Sequence, residues 1–271
     1  MQDKPLVSFI MGVYNTKNFN ELARSIDNML GQTYPNIEVV ICDDCSTNGV
    51  YEYLIENYSK NPKIKVVRNE KNSGAGVARN NAILHAKGEY VAVQDDDDYS
   101  SLDRIQKQVD FLENNPEFDL VSAGLVKFDE QGEWAKVQLK PYPTKRDFRK
   151  SSQHVHACTL FRKSCLEKVN GYRISKETVR GEDYDLFMRI YAKNMKGYNI
   201  PETLYYYNIS RKGRKRSKYK HRYYESVIRR KGFKAMRLPI FDYIYVLKPL
   251  VVGLFPERVR NFIKKIIKRA K

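Results

Sequence analysis

The stretch YVAVQDDDDYSS, residues 90–101, sets four consecutive carboxylates, Asp95 to Asp98, directly behind a short apolar run. Like charges this close repel, so each needs water, a donor or a cation. The residues alone allow two readings: a solvated acidic turn, or a divalent-metal site at the end of a strand. A second acidic pair, Asp43-Asp44, closes another apolar run, IEVVICDD. A strand-end carboxylate can accept hydrogen bonds from a ribose hydroxyl or a base N–H. A neighbouring group of carboxylates can hold Mg2+ or Mn2+ against phosphate oxygens, because hard cations prefer oxygen ligands and a diphosphate supplies several.

Two further stretches carry chemistry. NSGAGVARN (72–80) opens a helix. Its glycines let backbone approach a ligand, and a helix N-terminus favours phosphate. It has no GK[ST] and no full GxGxxG, so it is not a standard phosphate loop, and an ordinary flexible loop is the plain alternative. Within it Arg79 could grip a base, ribose or phosphate through the fixed fork of its guanidinium. Glu182-Asp183 follow Gly181 and start another helix. They read either as a favourable charge at the positive end of the helix or as a general base that takes the proton of an acceptor hydroxyl.

The elements that must position these residues alternate in type. Apolar, β-rich runs at LVSFIMGVY (6–14), IEVVICDD (37–44), IKVVRN (64–69) and YVAVQ (90–94) read as buried strands. Between them, 19–32, 49–60 and 74–87 have helical spacing, and SLDRIQKQVDFLENNP (101–116) continues it. Strand and helix in alternation imply a mostly parallel sheet flanked by helices, an α/β class. Ligands in such sheets sit beyond the carboxyl ends of the strands, so YNT, DDCST and QDDDD are expected on one edge. FDLVSAGLVKFDEQGEW reads as a strand, a turn and a return, and VRGEDYDLFMRIYAKN (179–194) as a helix.

Composition narrows the class. At 42% hydrophobic and 12% aromatic, the 271 residues can bury a core and are not a disordered composition. No stretch offers 18 uncharged apolar residues, so no transmembrane helix is expected, and MQDKPLVSFIMGVYN does not have the pattern of a secretion leader. Cys42, Cys45, Cys158 and Cys165 are expected as free thiols; a zinc site with His154 and His156 has poor spacing. Net charge is +17, and residues 211–271 hold 21 Lys/Arg against 3 Asp/Glu, so the body is nearly neutral and the tail strongly basic. Such a tail needs an anionic partner. PERVRNFIKKIIKRAK (256–271) spaces its apolar residues as an amphipathic helix with a basic face, which suits an anionic membrane surface; the Pro-broken RLPIFDYIYVLKPLVVGLF upstream extends that reading over 236–271. A tail packed on the protein's own body is the alternative. No nucleic-acid partner is expected, as no nucleic-acid-binding fold precedes the tail.

Taken in order, VSFIMGVYN, IEVVICDDCST, NSGAGVARNNAILHAKGEY, VQDDDD…LDRI, GEDYDLFMRI and IPETLYYY resemble glycosyltransferase family 2, the inverting GT-A enzymes, over residues 5–210. The resemblance implies a nucleotide-sugar donor, usually UDP-linked, and Mn2+ or Mg2+. It implies that Tyr14 and Asn15 line the base pocket, that Asp44 with Asp43 beside it binds the base, and that Arg79 helps to hold the nucleotide. It makes Asp95-Asp96-Asp97 the metal motif, with Asp97 the ligand, Asp95 near ribose or metal, and Asp96 and Asp98 in support. It makes Asp183 the catalytic base beside Glu182. Two positions depart from the pattern. Gly12 replaces the usual proline of the first motif, and no histidine follows the last core strand, which leaves Arg211, Arg214 or Arg216 to neutralise the leaving group.

The expected organisation is a nucleotide-sugar-binding half (1–120), an acceptor and base half of the same domain (121–210), and a basic membrane-associating extension (211–271). The expected function is transfer of a sugar to a lipid-linked glycan acceptor for a surface polysaccharide, at the cytoplasmic face of the cell membrane. A non-catalytic, membrane-bound nucleotide-binding module is the main alternative. A sugar nucleotidyltransferase is the weaker one, because the loop after the first strand, GVYNTKNFNE, is not a Gly-rich basic loop.

Overall fold

A computed structural model describes residues 4–211 and 219–254. Nine strands form one sheet whose order reads β3-β2-β1-β4-β8-β6-β9-β5, with β7 paired to β6. The strands are β1 (Val7–Val13), β2 (Ile37–Asp43), β3 (Ile64–Arg68), β4 (Tyr90–Val93), β5 (Tyr99–Ser100), β6 (Leu120–Asp129), β7 (Gly132–Val137), β8 (Leu160–Arg162) and β9 (Gly197–Asn208). The first four are mutually parallel, as the apolar runs imply. Beyond β4 the sheet is mixed. β8 runs antiparallel to both β4 and β6, while β9 returns parallel to β6 and meets the short β5 antiparallel. The unbroken parallel run thus belongs to the N-terminal part, and parallel pairing returns between β6 and β9.

The helices are α1 (Phe19–Leu30), α2 (Val50–Tyr58), α3 (Ala75–His85), α4 (Arg104–Asn114), α5 (Lys163–Lys168), α6 (Glu182–Ala192), α7 (Tyr219–Ala235) and α8 (Ile244–Leu254). Alternate residues of each central strand face opposite sides, which divides the core in two. Phe9, Met11, Val39, Ile41 and Ala92 pack with Leu22, Ile26, Leu54, Ile105 and Leu112 from α1, α2 and α4. Ile10, Val40, Cys42, Val91 and Val93 pack with Ala78 and Ala82 of α3 and with Phe187 and Ile190 of α6.

Gly12 explains itself here. It lies inside β1 facing α3, and a Cβ on it would sit 3.2 Å from the Ala78 Cβ and 3.8 Å from the Arg79 Cγ. Its role is close approach of α3 to the sheet. All four cysteines are free thiols. Among the described residues no helix is long and apolar enough to cross a membrane. The amphipathic segment 256–271 lies outside the described residues.

Candidate active site

The carboxyl ends of β1, β2 and β4 meet along one edge of the sheet. After β1 the chain turns through Tyr14, which is 49% exposed, and Asn15, which has a positive φ of 48°. Asn15 is fastened to the β2 side, its N–H donating to the Ser46 hydroxyl at 2.9 Å and its Oδ1 accepting from the Thr47 N–H at 2.9 Å. Asp43 is fully buried, accepts from the Ser46 N–H and pairs with Arg68 Nε at 3.0 Å. Asp44 accepts from the amides of Ser73 and Gly74 and from Asn69 Nδ2 at 2.7 Å. It therefore pins the glycine loop that leads into α3. With these three donors on its two oxygens, Asp44 has little acceptor capacity left for a ligand in this conformation.

The four aspartates separate by environment. Asp95 pairs with Arg79 Nη2 at 2.9 Å. Asp96 accepts from the Thr16 hydroxyl. Asp98 is fully buried and accepts from the Asn208 N–H at 2.7 Å, and burial raises its carboxyl well above the usual range. It fastens the loop to β9 and is a structural member of the run. Asp97 remains half-buried, and burial together with the charges of Asp96 and Asp95 pushes its carboxyl up to about 7. Among the described residues no three His, Cys, Asp or Glu side chains are arranged to hold a metal ion. A cation at Asp97 would therefore use one or two carboxylates and draw its other ligands from a diphosphate and water, the usual mode for Mg2+.

Arg79 is the junction of the site. Besides Asp95 it holds Glu182 through Nη1 at 3.2 Å, and its side chain is only 12% exposed. One guanidinium thus ties the acidic end of β4 to the start of α6. Next to Glu182, the Asp183 Oδ1 accepts from the Tyr184 N–H at 2.7 Å. Burial raises the carboxyls of both Asp183 and Glu182, in Asp183 against the lowering pull of the Tyr184 amide and of Arg79. A carboxylate raised in this way holds a proton more readily and is a better base than a solvated one.

The structure adds residues that pattern did not single out for the site. Tyr172 carries Arg79 over its ring at 5.9 Å, and its hydroxyl meets His156 Nε2 at 2.7 Å. Burial, and then the Arg79 charge, hold the His156 imidazole neutral with its value down to about 3. Arg104, fully buried beneath the acidic loop, donates to the Val93 carbonyl at 2.9 Å and to Gln94 Oε1 at 3.3 Å, between the rings of Phe9 and Tyr205. The LDRI spacing was the available signal for Arg104. For His156 and Tyr172, 16 residues apart in separate segments, no local pattern existed. Arg211 is held by Asp129 at the β6–β7 turn, and Arg214 and Arg216 lie outside the described residues.

A curled α/β sheet with acidic strand ends facing an acidic helix start defines a GT-A glycosyltransferase, and comparison with known proteins agrees. The family model described as Glycosyl transferase family 2 matches residues 8–169. EpsE of Bacillus subtilis (strain 168), named as a glycosyltransferase, is 34% identical over 264 residues, 96% of this chain and 94% of its own. WfaP of Escherichia coli, named as a UDP-Glc:alpha-D-GlcNAc-diphosphoundecaprenol beta-1,3-glucosyltransferase, is 29% identical over 93% of this chain and 97% of its own. The crystal structure of S. aureus TarS 1-349 in complex with UDP shares the fold with a TM-score of 0.68 at 20% identity, covering 92% of this chain and 70% of that one. The chain belongs to glycosyl transferase family 2, and it is a transferase.

Proposed function

We propose that the protein moves a sugar, with inversion, from a UDP-sugar to a lipid-linked saccharide acceptor in the assembly of a surface polysaccharide, at the cytoplasmic face of the cell membrane. The observation that carries the reading is the double pairing of Arg79 with Asp95 and Glu182, which ties the donor-side carboxylate to the residue next to the candidate base Asp183. In this reading the base of the nucleotide rests on Tyr14 and Asn15, above the anchored Asp43 and Asp44. Arg79 and Asp95 hold the ribose and phosphate side. A divalent ion, Mn2+ or Mg2+, bound by Asp97 with Asp95 beside it, would supply neutralisation of the leaving diphosphate. Asp183 accepts the proton of the acceptor hydroxyl as that oxygen bonds to the anomeric carbon, on the face opposite the departing UDP. Glu182 keeps Arg79 in place beside it. The donor and acceptor classes draw support from WfaP, named for UDP-Glc and a diphosphoundecaprenol-linked acceptor, and from TarS, solved with UDP.

Calorimetric titration of UDP, GDP, CDP and dTDP, each with and without Mn2+, tests the donor site. The expected result is UDP binding that requires Mn2+ and falls at least tenfold in Asp97→Asn. Absence of binding by every nucleotide would overturn the donor reading and leave a non-transferring module to be considered.

A further inference from the structure

The last helix among the described residues, α8, with the turn before it, presents an apolar stripe that no other described residue covers. Ile240, Phe241, Ile244, Leu247, Val251 and Leu254 are between 49% and 83% exposed. From Ile240 the spacing runs 4-3-4-3, so these side chains share one face of the turn before α8 and of α8 itself. Monomer surfaces carry single exposed apolar residues, whereas a contiguous row of this kind marks a contact surface.

The charge beside the stripe points to its occupant. The 3₁₀ turn Lys145–Arg149 abuts this region. Arg146 Nε meets Asp242 at 2.9 Å, Arg149 lies over the Tyr245 ring at 5.6 Å, and Lys248 Nζ donates to the Lys150 carbonyl at 2.9 Å. Arg146, Lys150 and Lys248 are themselves exposed. Residues 219–254 hold eight Lys/Arg and two acidic residues. Both acidic residues are already paired, Asp242 with Arg146 and Arg149, and Glu225 with Arg222 and Arg229. The flank is therefore positive without local compensation. A second copy docking stripe to stripe would bring the same bases face to face, which like-charge repulsion opposes. The chain's own segment 255–271, with seven Lys/Arg against one Glu, would bring the same conflict. A surface that is apolar within and anionic at its rim satisfies both features.

We infer that the stripe from Ile240 to Leu254, with Arg146, Lys150 and Lys248 beside it, is the lipid-contacting face of this protein and docks on anionic bilayer headgroups. The inference deepens the lipid-linked-acceptor reading and rests on it for its purpose, but it names a surface built wholly from described residues. It also sets a geometry. α8 packs on α7, and α7 packs on α6, where a Cβ on Gly232 would come within 2.4 Å of the Met188 sulfur. Helix axes that pack lie 8–10 Å apart, so the axis of α6, which holds Asp183 in its first turn, lies at most about 20 Å from that of α8. A saccharide on a membrane diphosphate would have to present its hydroxyl within that reach.

The test uses the full chain and a Phe241→Asp/Leu247→Asp variant, with Leu84→Asp as a control for an equally exposed leucine on α3. Co-sedimentation with vesicles of phosphatidylcholine containing a quarter phosphatidylglycerol gives the partition coefficient. Light scattering gives the mass in solution, and circular dichroism with thermal melting reports that each variant is folded. The expected result is vesicle binding by the wild type and by Leu84→Asp, and at least tenfold weaker binding by the double variant at an unchanged spectrum. Equal binding by the double variant would overturn the inference. So would a wild-type dimer that the double variant dissolves, since the stripe would then be a self-association face. The vesicle measurement needs no nucleotide, so a failure of the donor reading and a failure of this one show separately.

Discussion

Within the acidic run, adjacent residues of one type have separate roles because their surroundings differ. Asp98 is a buried fastener for β9, Asp96 is bonded to Thr16, Asp95 is paired with Arg79, and Asp97 is half-buried with its carboxyl raised by burial and by its acidic neighbours. No reading of four identical letters can separate them, since the separation is made by residues about 80 and 110 positions away along the chain. The Glu182-Asp183 pair divides in the same way, with Glu182 committed to Arg79 and Asp183 held only at its edge by the next amide. That division gives a direct prediction. Asp183→Asn keeps the shape and loses the basic oxygen, so transfer should fall roughly 100- to 10,000-fold, the usual worth of a general base. UDP binding should stay within twofold. Initial rates with a radiolabelled donor, beside calorimetry on the same sample, check both halves. Transfer near the wild-type rate would remove Asp183 from the role.

Among the elements, β1 to β4 and α1 to α4 were legible because β1, β2 and β4 are continuous apolar runs buried on both faces, β3 is a shorter apolar run at the sheet edge, and the helices between them are periodic. The later sheet was not. β5 has only two residues, and β9 pairs in parallel with β6 across a register shift at Gly124, which follows from long-range packing and leaves no periodic signal. Gly12 was visible as a departure from pattern, but its reason lay in an interface. The close fit of β1 to α3 at Gly12 predicts that Gly12→Val will force Ala78 and Arg79 outward. Overpacking of this kind costs about 1–3 kcal/mol. Urea unfolding should show that loss, and UDP affinity should drop with it because Arg79 moves. A variant as stable as wild type with unchanged affinity would mean that the contact is slack.

For the whole molecule, stability should depend on pH through buried histidine. His154 is 4% exposed, bonded to Asn199 Oδ1 at 2.7 Å and to the Tyr191 hydroxyl at 2.9 Å, and burial lowers its value to about 4. A histidine lowered on folding resists protonation in the native state, so the unfolded chain takes up the proton first as pH falls. The stability it permits is intact above about pH 6.5 and drains away down to about pH 4, by about 3 kcal/mol. His154→Gln should flatten that slope whatever it does to the absolute value. Urea midpoints at pH 7 and pH 4.5 for both proteins measure it, and identical slopes would exclude His154 as the group responsible.

The fastening of the acidic loop to β9 has a consequence in time as well as in space. Asp98 accepts from the Asn208 amide, the Asp95 amide donates to the Tyr205 hydroxyl, and β5 pairs with Tyr205 and Tyr206. The loop that begins after residue 94 is thus closed by residues more than a hundred positions later. During synthesis the N-terminal strands can pair early, but the carboxylates cannot take their places until the chain has emerged through residue 208. Closure over such a separation is slow compared with local helix formation. A nascent chain would therefore own most of a sheet before it owned a donor site, and the competence to bind nucleotide would arrive late and all at once.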